Sequence, residues 1–108
     1  MTRRFLSAGE IMVEMAPAGG GHFAMGFAGD TFNTAWYARR LLPADWQVDY
    51  VTAVGADPLS DDMLDWIAAQ GIGTGHVQRV PDRTVGLYMI RLKDGERSFS
   101  YWRGQSAA

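Results

Sequence analysis

Cysteine is absent from this 108-residue chain, which excludes disulfides and thiolate metal sites. No apolar run approaches the ~20 residues needed to cross a bilayer. The start, Met1-Thr2-Arg3-Arg4, is basic, but no long apolar stretch or small-residue cleavage site follows. A secretory signal is therefore not expected. Positive charge is scarce: ten lysines and arginines stand against twelve acids, leaving a net charge of −2. No basic block forms, so nucleic acid is a poor partner. Histidine occurs only at positions 22 and 76, without carboxylates at metal-ligand spacing, so both are read as surface residues. These absences make a soluble, cytoplasmic protein without membrane contact the expectation.

What is present has the composition of a single globular domain, with 47% hydrophobic and 20% charged residues. The glycines cluster near 19–29 and 71–75 and read as turns. Phe5 to Ala8 predicts a strand, bent near Gly9 into a second carried by Ile11, Val13 and Met15. Gly19-Gly20-Gly21 reads as a flexible hairpin tip, with His22 to Phe27 returning from it. Asp30 is placed as the N-cap of a helix whose stripe is Thr31, Ala35, Ala38 and Leu42, with Phe32 and Trp36 beside it. Pro43 stops that helix. Val48 to Val54 suits one buried strand. Asp57 is read as the N-cap of a second helix with Pro58 at its first position, and Leu59, Met63, Trp66 and Ile67 form its apolar face. Gly71 ends it, with Ile72 folding back toward Ile67. Val77 to Val80 reads as a short edge strand. The alternation implies a parallel sheet with right-handed crossovers.

Thr84 to Leu92 and Arg97 to Trp102 read as two further strands around Lys93-Asp94-Gly95-Glu96. Asp-Gly suits a type I′ turn, in which both central residues need positive φ. Counting outward, Lys93 faces Glu96, Ile90 faces Phe99, Tyr88 faces Tyr101, and Gly86 faces Arg103. Alternation then puts Tyr88, Ile90, Phe99, Tyr101 and Arg103 on one face. Two phenols and a guanidinium suit a polar anionic ligand, since arginine grips a carboxylate bidentately. The plain alternative is a cross-strand aromatic pair with a solvated arginine at its end. The opposite face, with Val85, Leu87, Met89 and Trp102, needs cover, for which a partner subunit is one candidate.

Ala28-Gly29-Asp30-Thr31-Phe32-Asn33 places a glycine turn before a helix, where backbone can approach a ligand and the N-terminus favours negative charge. It also reads as a capped turn and nothing more. No Gly-Lys-Ser/Thr follows, so it is not a Walker A loop. Asp61, Asp62 and Asp65 fall mostly on a solvated helix face. Glu10 reads equally as pointing into a cleft or as an exposed strand end.

Taken together, Gly9-Glu10, the 28–35 segment, Val54-Gly55-Ala56-Asp57, Met63-Leu64, Gly71-Ile72, Gly86-Leu87-Tyr88 and Arg97 to Arg103 resemble the ribokinase-like, or pfkB, carbohydrate kinases. The tail narrows the likeness to the members that phosphorylate 2-keto-3-deoxygluconate. Two departures are Ala28, where the family commonly has a glycine, and Thr31, where it has a smaller residue. The resemblance implies an α/β fold: a mainly parallel sheet with flanking helices plus a small β-sheet lid built from about 11–27 and 84–103. It also implies a site in which Gly29, Asp30 and Asn33 lie along the hydroxyls of a sugar acid. Tyr88 and Tyr101 would bond the sugar from the lid, and Arg103 would face its carboxylate. ATP and Mg²⁺ are the implied cofactors, and a homo-oligomer through the lid is an implied partner state. The family's Gly-Ala-Gly-Asp segment, which supplies the anion hole and base, does not occur in this sequence, so no residue is expected to be catalytic. Residues 1–108 are thus expected to be the N-terminal portion of such a kinase, inactive and not a stable monomer alone, with Ser106-Ala107-Ala108 opening a further helix. Fructose or ribose as substrate, or a non-catalytic lid or dimerisation module, are the alternatives.

Overall fold

The computed structural model describes residues 3–108; Met1 and Thr2, half of the basic start, lie outside the described residues. In chain order the elements are β1 (Arg3–Ala8), β2 (Met12–Gly19), β3 (His22–Ala28), α1 (Asp30–Leu41) and β4 (Trp46–Val51). β5 (Ala53–Val54), α2 (Pro58–Ala69), β6 (Gln78–Arg79), β7 (Leu87–Lys93) and β8 (Glu96–Trp102) follow. β1 pairs in parallel with β4, from Arg3↔Trp46 to Ala8↔Val51, and β5 pairs in parallel with β6. The remaining strands form a four-stranded sheet in the order β3-β2-β7-β8. Here β2 and β7 run parallel, flanked by antiparallel neighbours.

The core forms where the two helices meet these sheets. Phe32 and Ala35 of α1, Met63 and Ile67 of α2, Val48 and Tyr50 of β4 and Val13 of β2 are all buried in one cluster. Phe32 stands edge-on to Tyr50, with ring centroids 5.3 Å apart, and Trp66 packs on both Phe32 and Phe27 at 5.2 and 5.5 Å. Burying one such ring stabilises the fold by roughly 1.5–3 kcal/mol. Because Phe27 belongs to β3, these contacts also fix the four-stranded sheet against the helices.

Several expectations are corrected. The residue that caps α1 is Gly29, not Asp30; its carbonyl accepts the Asn33 amide at 2.7 Å, so the helix starts one residue earlier. Asp30 is then the first helical residue, where its charge complements the helix dipole. Leu42 lies just past the helix end, extended rather than helical. The strand read as Val48 to Val54 starts at Trp46 and breaks at Thr52, because β4 serves one sheet and β5 another. β7 begins at Leu87 rather than Thr84, since Thr84 instead bridges to Ser106. Ser106, expected to open a helix, takes part in that bridge. Asp57 does cap α2, yet its carboxylate accepts from the hydroxyls of Ser60 and Thr84, at 2.5 and 2.7 Å, rather than from a helix amide. Val85, expected on an uncovered face, is buried in the core. His76 is exposed as read, but lies 3.8 Å from the buried carboxylate of Asp49. The Asp94-Gly95 turn has both positive φ angles, 52° and 78°. Its register pairs Lys93 with Glu96, Ile90 with Phe99 and Tyr88 with Tyr101.

Candidate functional site

A concavity of about 270 Å³ opens between the start of α1 and the four-stranded sheet, lined by Met12, Gly29, Asp30, Tyr88, Phe99 and Tyr101. The helix side is placed by close backbone packing. A Cβ on Gly29 would come within 2.6 Å of the Glu10 carbonyl oxygen, so only glycine lets this helix start sit against the turn after β1. Asp30 then presents an exposed carboxylate in the first helical turn.

The sheet side is aromatic. The Tyr88 ring lies 6.1 Å from both Tyr101 and Phe99, and the Phe99 and Tyr101 rings are 6.4 Å apart and near parallel. Such spacing suits offset aromatic packing and gives a firm apolar wall with hydroxyls at its edge. The Tyr88 hydroxyl donates to the Glu14 carboxylate. Burial, reinforced by that carboxylate, holds the Tyr88 phenol above its ordinary pKa. Its one proton is thereby committed to Glu14, so toward a ligand Tyr88 is an acceptor for a hydroxyl proton. A site with one apolar wall and a few convergent polar groups fits a polyhydroxylated small molecule.

Gly29, Asp30, Tyr88 and Tyr101 therefore share one concavity, while Asn33 and Arg103 do not line it. Asn33 is exposed on α1 and lines a neighbouring hollow with Phe27, Phe32, Trp36, Tyr37 and Trp66. Arg103 lies beyond the last rung of the hairpin, Leu87↔Trp102, so the expected pairing with Gly86 does not form. Its guanidinium instead pairs with Glu10 and stands 5.9 Å from the centre of the Tyr101 ring. The Glu10 side chain is largely buried against Arg103 rather than exposed at a strand end, though it does not itself line the concavity. Sequence reasoning left Glu14 and Met12 out of the site. Their signal is the parallel register that sets Glu14 beside Tyr88, which requires knowing that β2 neighbours β7. A larger concavity, of about 430 Å³, is lined from Arg39 through Asp49 to Gly73 and contains none of these residues.

The sequence pattern of the pfkB family carbohydrate kinases matches residues 6–108. Over 110 residues the chain is 42% identical to the 2-dehydro-3-deoxygluconokinase of Escherichia coli K12, an alignment covering 100% of this chain and 35% of that protein. Among solved structures, a fructokinase from Xylella fastidiosa with bound ATP is 30% identical with a TM-score of 0.84, covering 99% of this chain and 32% of its own. The 2-dehydro-3-deoxygluconokinase of Thermotoga maritima shares the fold at a TM-score of 0.84 and 21% identity, covering 97% of this chain and 33% of its own. The chain thus spans about a third of the length of each relative. Since the family pattern runs across almost all of it, on the expected ribokinase-like α/β fold, the chain belongs to the pfkB family of carbohydrate kinases.

Proposed function

We propose that this chain forms the sugar-binding part of a kinase that transfers the γ-phosphate of ATP to 2-keto-3-deoxygluconate, also written 2-dehydro-3-deoxygluconate. The observation that carries the reading is the meeting of Gly29, Asp30, Tyr88 and Tyr101 around one concavity, from segments far apart in sequence. In this reading the four-stranded sheet is the lid over the sugar. Asp30 accepts from sugar hydroxyls, and Gly29 lets the ligand approach backbone. Asn33 joins them from the helix flank, one turn along α1. Tyr88 and Tyr101 bond the sugar from the lid, and Arg103 faces the carboxylate end. Positioning of this kind supplies much of the rate in phosphoryl transfer, where little covalent chemistry falls to the protein.

Among the described residues no group of three or more acids, histidines or cysteines is placed to hold a metal ion. Following the family resemblance, the groups that would hold Mg²⁺ and most of those for ATP are assigned outside this chain, and no step is routed through them. No described helix is long and apolar enough to cross a membrane; a cytoplasmic location is part of the proposal. A second reading, a kinase for a neutral sugar such as fructose, is favoured by the 30% identity to the Xylella fructokinase. Arg103 separates the two, because a neutral sugar offers no carboxylate to pair with it. The test is intact mass together with coupled ATP consumption on both sugars, using the natural gene product. Expected are a mass above 11.9 kDa and turnover that favours the sugar acid. A mass of 11.9 kDa without turnover overturns the kinase reading and leaves a binding or dimerisation module.

A further inference from the structure

Glu10 follows the glycine that ends the first strand, and its side chain is only 13% exposed. A carboxylate stripped of most of its water needs charged or hydrogen-bonding partners. Glu10 has two. One oxygen pairs with the Arg103 guanidinium, and the other accepts the Ser106 hydroxyl at 2.5 Å. Space for that oxygen depends on Gly86, where a Cβ would lie 2.8 Å from it. The backbone of the same residue presses on the other half of the concavity, since its carbonyl oxygen abuts Gly29. One residue therefore touches both the helix start that lines the concavity and the arginine at the end of β8.

Arg103 engages Glu10 through Nη2, and its side chain remains 52% exposed. A guanidinium carries five N–H donors in a fixed planar fork, so the pairing leaves an edge free. Were Arg103 to swing away toward a ligand, Glu10 would be left largely desolvated and without its counter-charge, which is strongly unfavourable. The guanidinium is therefore more stable meeting an anion with its free edge while Glu10 retains the other.

We propose that Glu10 is a positioning residue for Arg103. It fixes the guanidinium near the rim of the concavity, and so sets the preference for a sugar acid over a neutral sugar. The inference rests on the sugar-acid reading above. The test compares kcat/KM for 2-keto-3-deoxygluconate and for D-fructose in the natural gene product and in Glu10→Gln, Glu10→Asp, Ser106→Ala and Arg103→Ala variants. Arg103→Ala is expected to abolish the acid preference. Glu10→Gln keeps the shape and loses the charge; the acid-to-neutral ratio should fall roughly tenfold, through KM for the acid, with kcat little changed. Glu10→Asp should fall between Gln and the natural residue. Ser106→Ala removes the other partner of the same carboxylate but keeps its charge, and should lower the ratio less than Glu10→Gln. If Arg103→Ala abolishes the preference while a folded Glu10→Gln or Glu10→Asp variant keeps the natural ratio, Glu10 is structural only and the inference falls, with the sugar-acid reading intact. If the natural protein shows no preference for the acid, the reading itself falls and the inference with it.

Discussion

Tyr88 shows how one side chain is tuned by its neighbour across the sheet. Its proton is held by Glu14, so a Tyr88→Phe variant loses an acceptor for the ligand and leaves Glu14 without its donor. We expect KM for the sugar acid to rise about 5- to 10-fold with little change in kcat, as for a lost hydrogen bond worth about 1 kcal/mol; an unchanged KM would remove Tyr88 from the site. Asp57 is the titratable counterpart on the structural side. The Ser60 hydroxyl above all holds its carboxyl below the usual value; burial opposes this, and the Thr84 hydroxyl and nearby backbone amides add to the lowering. A folded pKa below the unfolded one means that the ionised form stabilises the fold. That stability is present above the unfolded value, about pH 4, and is lost as the pH falls through the folded value. Denaturant titrations of the natural protein and of Asp57→Asn should therefore differ at pH 7, with a gap that begins to narrow near about pH 4 and closes only as the pH falls through the lowered folded value. A gap independent of pH would assign the effect to shape, not charge.

The β7–β8 hairpin is the element in which local chemistry determines geometry most directly. Asp94 and Gly95 both sit at positive φ, so Gly95→Ala should destabilise the fold by about 1 kcal/mol or more. A thermal melt will show it, and no shift in the melting temperature would mean that the turn is not held in this form. That same locality is why the hairpin register was legible: an Asp-Gly pair between two alternating segments leaves one pairing open to them. The second helix was legible for a similar reason, since Asp57, Pro58 and Gly71 punctuate it within the chain itself. The first helix was less so. Asp30 looks like a cap, and only the packing of Gly29 on the Glu10 backbone shows that the cap lies one residue earlier. The break at Thr52 has a tertiary origin as well: Val51 and Ala53 are drawn into different sheets. The parts of the site that stayed hidden depend on distant partners. Glu14 meets Tyr88 across 74 positions, and Glu10 meets Arg103 across 93. No periodicity within a short window can report such pairs.

At the scale of the whole chain, large apolar side chains remain exposed on two sheet faces. β1 and β4 form a parallel pair, and parallel strands are ordinarily covered on both faces; Leu6 of β1 is nevertheless 56% exposed. On the four-stranded sheet, Met25, Met15 and Met89 are successive neighbours across β3, β2 and β7, with Trp102 at the β8 edge of the same face. Met25 is 55% and Trp102 57% exposed. Exposed apolar area of this kind favours association. We therefore expect the isolated 108-residue chain not to behave as a stable monomer, giving either a broad melt by circular dichroism or a particle larger than 11.9 kDa by light scattering. Trp102→Glu distinguishes between the surfaces. If the particle reverts to monomer mass, the Trp102 face of the sheet carried the association, as expected for a homo-oligomer through the lid. If the particle is unchanged, the contact lies on the Leu6 face of the parallel pair. A sharp cooperative melt at monomer mass would show that the two uncovered faces cost less than the core recovers, and the expectation would be wrong.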